Sequence, residues 1–243
     1  MDFPVIHHPT YDIKVPSTKK TEKFRPFLVK EEKLLLTARE SGDLSDALAA
    51  VKRVVQNCSL SQTPDRIDAR TSLNVDTLPL FDLEYLFLKI RAFSVNSTVQ
   101  LSYKDAEDDK VRDFEVDLNN VEVEFPEKAD PVVKLSETTG IVLRYPPASL
   151  YGDKTFPGTG DYLFELVKRC IERVYEGDTV LEAPFDQKEL ETFLDSLDVK
   201  TFTKIQDFLA AAPRMRHTIK YTNDLGHERK IELSSLNDFF TFV

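Results

Sequence analysis

Short stretches of this chain alternate apolar and polar residues, and others repeat apolar residues every three or four positions. Tyr11 to Val15 sets Tyr, Ile and Val against Asp and Lys, the period-two pattern of a strand. Pro16 to Lys20 reads as a turn, and Lys23 to Phe27 as a returning strand, so a hairpin is expected. Pro26 lacks an N–H to donate, which puts that strand at an edge or ends it there. Val29 to Arg39 reads as a helix with Glu31 and Glu32 in its first turn, broken by Ser41-Gly42-Asp43. A second helix carries Leu44, Leu48, Val51, Val55 and Cys58 on one stripe. Ser59 to Thr77 reads as a loop with a short helical piece. Leu80 to Ala92 is apolar nearly all round, the mark of a buried helix.

The pattern then changes period. Thr98 to Lys104 and Val111 to Leu118 alternate cleanly, joined by the charged connection Asp105 to Lys110, which predicts a second hairpin. Val121 to Phe125, Val132 to Leu135 and Gly140 to Tyr145 are further short strands. Helical spacing returns at Tyr162 to Tyr175, with Leu163, Val167, Cys170, Ile171 and Val174 on one face. Asp186 is placed to cap a helix bearing Leu190, Phe193, Leu194 and Leu197. Val199 to Ala212 forms another helix. Arg216 to Tyr221 and Arg229 to Leu233, around the turn Asn223 to Gly226, predict a last hairpin, and Leu236 to Phe242 a closing helical turn.

The expected fold is α+β: antiparallel hairpins packed with helices, in two loosely defined lobes, 1–146 and 147–243, meeting near Pro146-Pro147. Met1 to Pro9 reads as a terminal arm. A helix leading into a charged hairpin occurs twice, around 80–118 and 199–233, which suggests a weak internal duplication.

Composition narrows the function. The 243 residues are 41% hydrophobic and 30% charged, ordinary for a folded chain. A net charge of -10 disfavours nucleic-acid binding, which needs local positive charge, and suits a protein that stays soluble until it meets a partner. The two cysteines, Cys58 and Cys170, lie on apolar faces and read as buried thiols rather than a disulfide framework. No signal peptide is expected, and no apolar run approaches the ~20 residues that span a membrane.

Chemical motifs are sparse. Asp105, Glu107, Asp108 and Asp109 lack the spacing and central glycine of a calcium loop and read as a solvated tip. His7 and His8 sit in the arm. His217 and His227 flank the last hairpin as candidate cross-strand neighbours with no third metal ligand in view. Gly158-Thr159-Gly160 is a lone G-x-G without a preceding apolar strand and reads as a flexible entry turn. Basic residues gather at Lys14, Lys19, Lys20, Lys23 and Arg25, and at Arg214, Arg216, Lys220, Arg229 and Lys230. They read either as edge-strand protection or as a docking surface for an acidic partner.

Four segments, in order, resemble the baseplate family of T4-like phages. They are Lys23 to Phe27 with Val29 to Leu36, then Leu80 to Val95, then Val142 to Pro146, and finally Ala212 to Thr218 with Leu236 to Phe240. The resemblance implies a non-enzymatic protein, without cofactor, needed when the baseplate hub of a contractile tail is built. It would be a hub subunit or a hub assembly chaperone, at work in the host cytoplasm or kept in the virion baseplate. Its partners would be hub or other tail proteins, neither nucleic acid nor membrane. Some relatives carry cysteine pairs at two hairpin tips in the manner of a zinc ribbon. This chain has none there, so packing and backbone hydrogen bonds alone are expected to hold the hairpins. A zinc-less relative of a zinc-ribbon nucleic-acid adaptor is the alternative.

Under the family reading Arg25, Arg91, Arg144 and Arg216 are candidate partner contacts, since each sets a fixed charge beside an apolar segment and suits bidentate pairing with carboxylates. The bland alternative is an internal salt bridge to Asp82, Glu84 or a similar acid. Phe27, Tyr145, His217, Phe239, Phe240 and Phe242 complete the candidate set, the terminal aromatics as an anchor or as part of the protein's own core.

Overall fold

A computed structural model of the protein describes residues 6–61, 73–127, 129–151 and 162–240. Phe242 and Gly158 to Gly160 lie outside them. The described residues form small antiparallel sheets and helices, the α+β class expected from the sequence. The chain divides into two compact units: Met1–Glu124 with Arg214–Val243, and Phe125–Pro213.

The first unit opens with the expected hairpin, β1 (Tyr11–Lys14) against β2 (Thr21–Phe24). Helix α1 (Val29–Ser41) ends where Gly42 takes φ 66, a left-handed value that costs glycine little. Asp43 caps α2 (Leu44–Cys58) by accepting the Ser45 N–H at 2.7 Å. Val51, Val54, Val55 and Cys58 of α2 are buried. The apolar segment forms α3 (Leu80–Ser94), with Leu83, Leu86, Phe87, Leu88 and Ile90 essentially inaccessible. Burying each such side chain is worth about 1.5–3 kcal/mol. The long hairpin β3 (Thr98–Lys104) and β4 (Val111–Asp117) follows, then the short β5 (Glu122–Glu124).

The described residues of the second unit form a sheet of four strands with three helices. Strands β6 (Val132–Lys134) and β7 (Thr139–Leu143) pair first. Helix α4 spans Tyr162–Cys170 only. Ile171 onward is β8 (Ile171–Glu176), hydrogen-bonded to β7 on one side and to β9 (Thr179–Glu182) on the other. The helical reading of Tyr162 to Tyr175 is therefore corrected at its second half. Ile171, Val174 and Tyr175 are β-branched or aromatic; all three gain a partner on β7, and Val174 and Tyr175 a second on β9. The turn Gly177-Asp178, with Gly177 at φ 56, suits a two-residue hairpin. Helices α5 (Gln187–Asp195) and α6 (Val199–Ala210) are capped by Asp186 and Asp198. Their Leu190, Leu194, Ile205 and Phe208 form one core with Val133, Ile141, Leu143, Val167 and Ile171.

The chain then returns to the first unit. Strand β10 (Arg214–Thr222) pairs with β5 at its start and with β11 (Glu228–Leu233) along the rest, and α7 (Leu236–Phe239) follows. The boundary expected at Pro146-Pro147 is not where the units divide. Strands β7 and β8 pair across it, whereas β5 and β10, 90 positions apart at Glu124 and Arg214, pair within the first unit, and the second unit is inserted in sequence between them.

Gly140 allows one close approach. A Cβ there would stand 2.8 Å from Tyr175 Cε1 and nearer still to the hydroxyl end of that ring. Gly140→Ala is expected to cost about 1–2 kcal/mol as the ring swings away. The penalty should vanish in a Tyr175→Ala background, which chemical denaturation of the four variants checks.

Candidate functional site

The two long hairpins of the first unit meet at their charged tips. Each tip is first ordered by itself. Asp105 accepts the Glu107 N–H at 2.8 Å, and Asn223 accepts the N–H groups of Leu225 and His227 at 3.2 and 2.9 Å. Asp109 at φ 57 and Gly226 at φ 82 complete the turns. The tips then grip each other. The Tyr221 hydroxyl donates to Asp105 at 2.7 Å, and Asn223 Nδ2 to Glu107 at 2.6 Å. His227 Nδ1 lies 3.0 Å from Glu107, and the Asp224 N–H donates to Asp108 at 3.1 Å. Arg112 bridges Asp108 and Asp224, at 3.0 and 2.7 Å, while Lys110 also pairs with Asp224. Arg229 lies 3.5 Å from both Asp105 and Glu107. Beneath this polar layer the Phe114 and Tyr221 rings pack with centroids 5.1 Å apart.

Two sequence readings are corrected here. The carboxylates at 105–109 are not all a solvated tip: the Asp105 side chain is inaccessible and that of Asp108 only 4% exposed. Nor do packing and backbone bonds alone hold the hairpins, since side chains join them across more than 110 residues of sequence. Such a layer can be formed because nearly every buried acceptor finds a donor. The hydrogen bond from Tyr221 holds Asp105 below the usual carboxylate range, the Arg112 guanidinium does so for Asp108, and Lys110 with Arg112 for Asp224.

Depressed values fix the sign of the pH response. The clasp's contribution is complete above the ordinary 3.8 and is lost as the pH falls below it through the depressed values. Amides at the two tips should therefore lose hydrogen-exchange protection in acid before the α3 core does. Asp108→Asn should lower tip protection already at neutral pH. Protection that is indifferent to both would show the clasp to contribute nothing.

The candidate contact residues fall in two places. In the first unit, Phe27 packs on Phe87 at 5.7 Å, Phe240 meets the edge of Phe87 at 6.2 Å, and Arg91 lies over Phe240 at 5.5 Å. Phe239 is buried. Arg25 pairs with the buried Glu31 at 3.0 Å, and Arg216 with Glu124 and Glu232. In the second unit, Arg144 Nε donates to the Arg169 carbonyl at 3.1 Å and Tyr145 stacks on Phe208 at 4.8 Å. Internal acids thus engage Arg25 and Arg216, as the bland reading has it, but not through Asp82 or Glu84. Asp82 accepts from Ser17 and Glu84 from the Leu236 N–H. His217 faces Leu233 across the ladder, so His217 and His227 are not cross-strand neighbours.

Sequence reasoning missed Tyr221, Asn223 and Arg112 as one group with Asp105, Glu107 and Asp108. Their signal was the matching of an acidic tip with a basic, amide-bearing one, legible only once the hairpins are known to meet. The cysteines are free and buried, and burial pushes both thiols up to about 12. Among the described residues no helix is long and apolar enough to cross a membrane.

No curated protein and no solved structure matches the chain. A family model, described as T4 bacteriophage base plate protein, matches residues 8–241. That span takes in both units, from the first hairpin through the clasped tips to the terminal aromatics, and the chain belongs to this family of phage baseplate proteins.

Proposed function

We propose that the chain builds the central hub of the baseplate through protein contacts and without catalysis, either as a hub subunit or as a chaperone that leaves. The observation that carries this reading is the baseplate family match over residues 8–241, which covers nearly all of the chain. The acidic balance of -10 fits a protein kept soluble until it meets its partner. Work in the host cytoplasm during assembly, or retention in the virion baseplate, follows from the two forms of the proposal. Among the candidate contacts, Arg144 is exposed and bonds a carbonyl rather than an acid, and it is the arginine we assign to a partner carboxylate. A nucleic-acid adaptor is the weaker reading, because Arg216, Arg229 and Lys230 of the last hairpin face internal acids.

Co-expression with the phage's own hub and tail proteins tests this. A stoichiometric complex with a hub protein that survives gel filtration is expected. Mass spectrometry of finished virions then separates the forms: presence makes the chain a subunit, absence a chaperone. No complex with any tail protein would overturn the proposal.

A further inference from the structure

The sheet of the second unit ends in a short strand that carries no lysine, proline or bulge. Its order is β6-β7-β8-β9, so among the described residues β9 has a ladder partner on one side only. All four residues of β9 are exposed, including Val180 at 52% and Leu181 at 59%. Edge strands are usually blunted by shortness, by charge and above all lysine, by proline or by a bulge. Thr179-Val180-Leu181-Glu182 has neither lysine nor proline, and its ladder with β8 runs without a register shift.

Register gives the exposed side chains a direction. Val133 faces Ile141, Ile141 faces Val174, and Val174 faces Leu181. Exposure along this row starts at 4% and 0% for Val133 and Ile141 and ends at 59% for Leu181. The core row therefore runs out to the sheet edge and stops uncovered. On the opposite face the row Gly140, Tyr175, Val180 does the same. The Ala183 N–H donates to the Glu172 carbonyl at 3.0 Å, which sets the phase of the ladder. In that phase Val180 and Glu182 direct their N–H and C=O groups away from β8.

Charge selects the occupant. Glu172, Glu176, Asp178 and Glu182 are exposed around this edge, and the cation of β8, Arg173, stands 4.0 Å from Glu172. We infer that β9 is a docking edge on which an extended segment of a partner protein, apolar in alternation and basic at its flanks, adds as a fifth strand. A second copy of β9 is disfavoured, since antiparallel pairing of two such edges brings both acidic groups together in a chain of net charge -10. The inference rests on the proposal that the chain acts by protein contact, and it names the surface and the chemistry of that contact. Strand addition draws its affinity from main-chain hydrogen bonds and its selectivity from alternate side chains.

The probe is a capped ten-residue peptide of alternating valine and lysine, added to the full chain and followed by amide exchange in NMR spectra. With peptide at about ten times its Kd, exchange at Val180 and Glu182 should slow about tenfold. Thr179 and Leu181, already paired to β8, should change little. Raising the salt should weaken binding, and a valine–glutamate peptide should not bind. Val180→Pro removes an outward donor without touching a bond to β8, and should abolish the effect while leaving the rest of the amide spectrum in place. Protection elsewhere on the chain, no protection at millimolar peptide, or protection at Val180 from concentration-dependent self-association alone would each overturn the inference. If the hub complex forms and survives Val180→Pro, β9 is not the hub contact and this inference fails alone. If no hub complex forms in the unaltered chain, the functional proposal fails first.

Discussion

Glu31→Ala is expected to lower the stability of the chain by about 3–5 kcal/mol, because it strips the partner from a charge pair shielded from water. The Glu31 side chain is wholly inaccessible and that of Arg25 only 14% exposed. Both carboxylate oxygens are engaged. Oε1 takes Arg25 Nη2 at 3.0 Å and Asn57 Nδ2 at 3.2 Å, while Oε2 takes Arg25 Nη1 at 3.2 Å and the Leu28 N–H at 2.9 Å. One side chain therefore caps α1, joins it to α2 through Asn57 and anchors the end of β2 through Arg25. Burial alone would raise the Glu31 carboxyl, but Arg25 and the Leu28 N–H outweigh it and hold the group below its usual 4.5. Its contribution is thus present above 4.5 and is lost as the pH falls below that value. Urea denaturation at neutral pH measures the loss. Adding Arg25→Ala to Glu31→Ala should cost little more, since the arginine has already lost its partner. Two losses that simply add would show that the pair does not act as a unit.

Glu84→Gln should do the reverse and stabilise the chain by up to about 3 kcal/mol at alkaline pH. Burial pushes the Glu84 carboxyl up to about 7, against an ordinary 4.5, and the nearby Asp238 adds to this. Below 4.5 the group is protonated in folded and unfolded chains alike, and the substitution should be neutral. Between 4.5 and about 7 the unfolded chain releases its proton while the folded chain keeps it, so stability falls as the pH rises. Above about 7 the folded chain carries the full cost of a poorly solvated charge, one that glutamine never bears. Glutamine retains an acceptor for the Leu236 N–H, so the link between α3 and α7 survives. Denaturation curves of both forms from pH 4 to 8 should diverge steadily. A constant gap would mean that Glu84 titrates normally.

Much of this fold is legible in the chain because its signals are local. The alternation at Thr98 to Lys104 and Val111 to Leu118 and the all-round apolar stretch at Leu80 to Ala92 need no distant partner to be read. The failures occur where a distant partner decides. Ile171 and Val174 continue the helical spacing of Leu163 and Val167, yet they are strand because β7 pairs with both and β9 with Val174. Thr179 to Glu182 shows no alternation of burial, being exposed at every position, and so left no pattern to read. Pro146-Pro147 looks like a domain boundary because prolines break pairing locally, while the true junction is fixed by β5 meeting β10. The clasp was illegible for the same reason: each charged tip alone is an ordinary solvated turn, and burial of Asp105 arises only when Tyr221 arrives from 116 positions away.

The candidate contacts divide along similar lines. Aromatic and arginine residues are able to bury area and fix charge. Phe27, Arg91, Phe239 and Phe240 spend that capacity on one another and on α3. Charge patterns in sequence show what a residue can pair with, and only the fold shows whether that partner is already inside the chain.

The most direct test of the central claim is to inactivate this gene in the phage that encodes it and to image the products of infection. The proposed role predicts filled heads without complete baseplates, and tails restored when the chain is supplied from a plasmid. Normal, infectious tailed particles in the absence of the chain would contradict it.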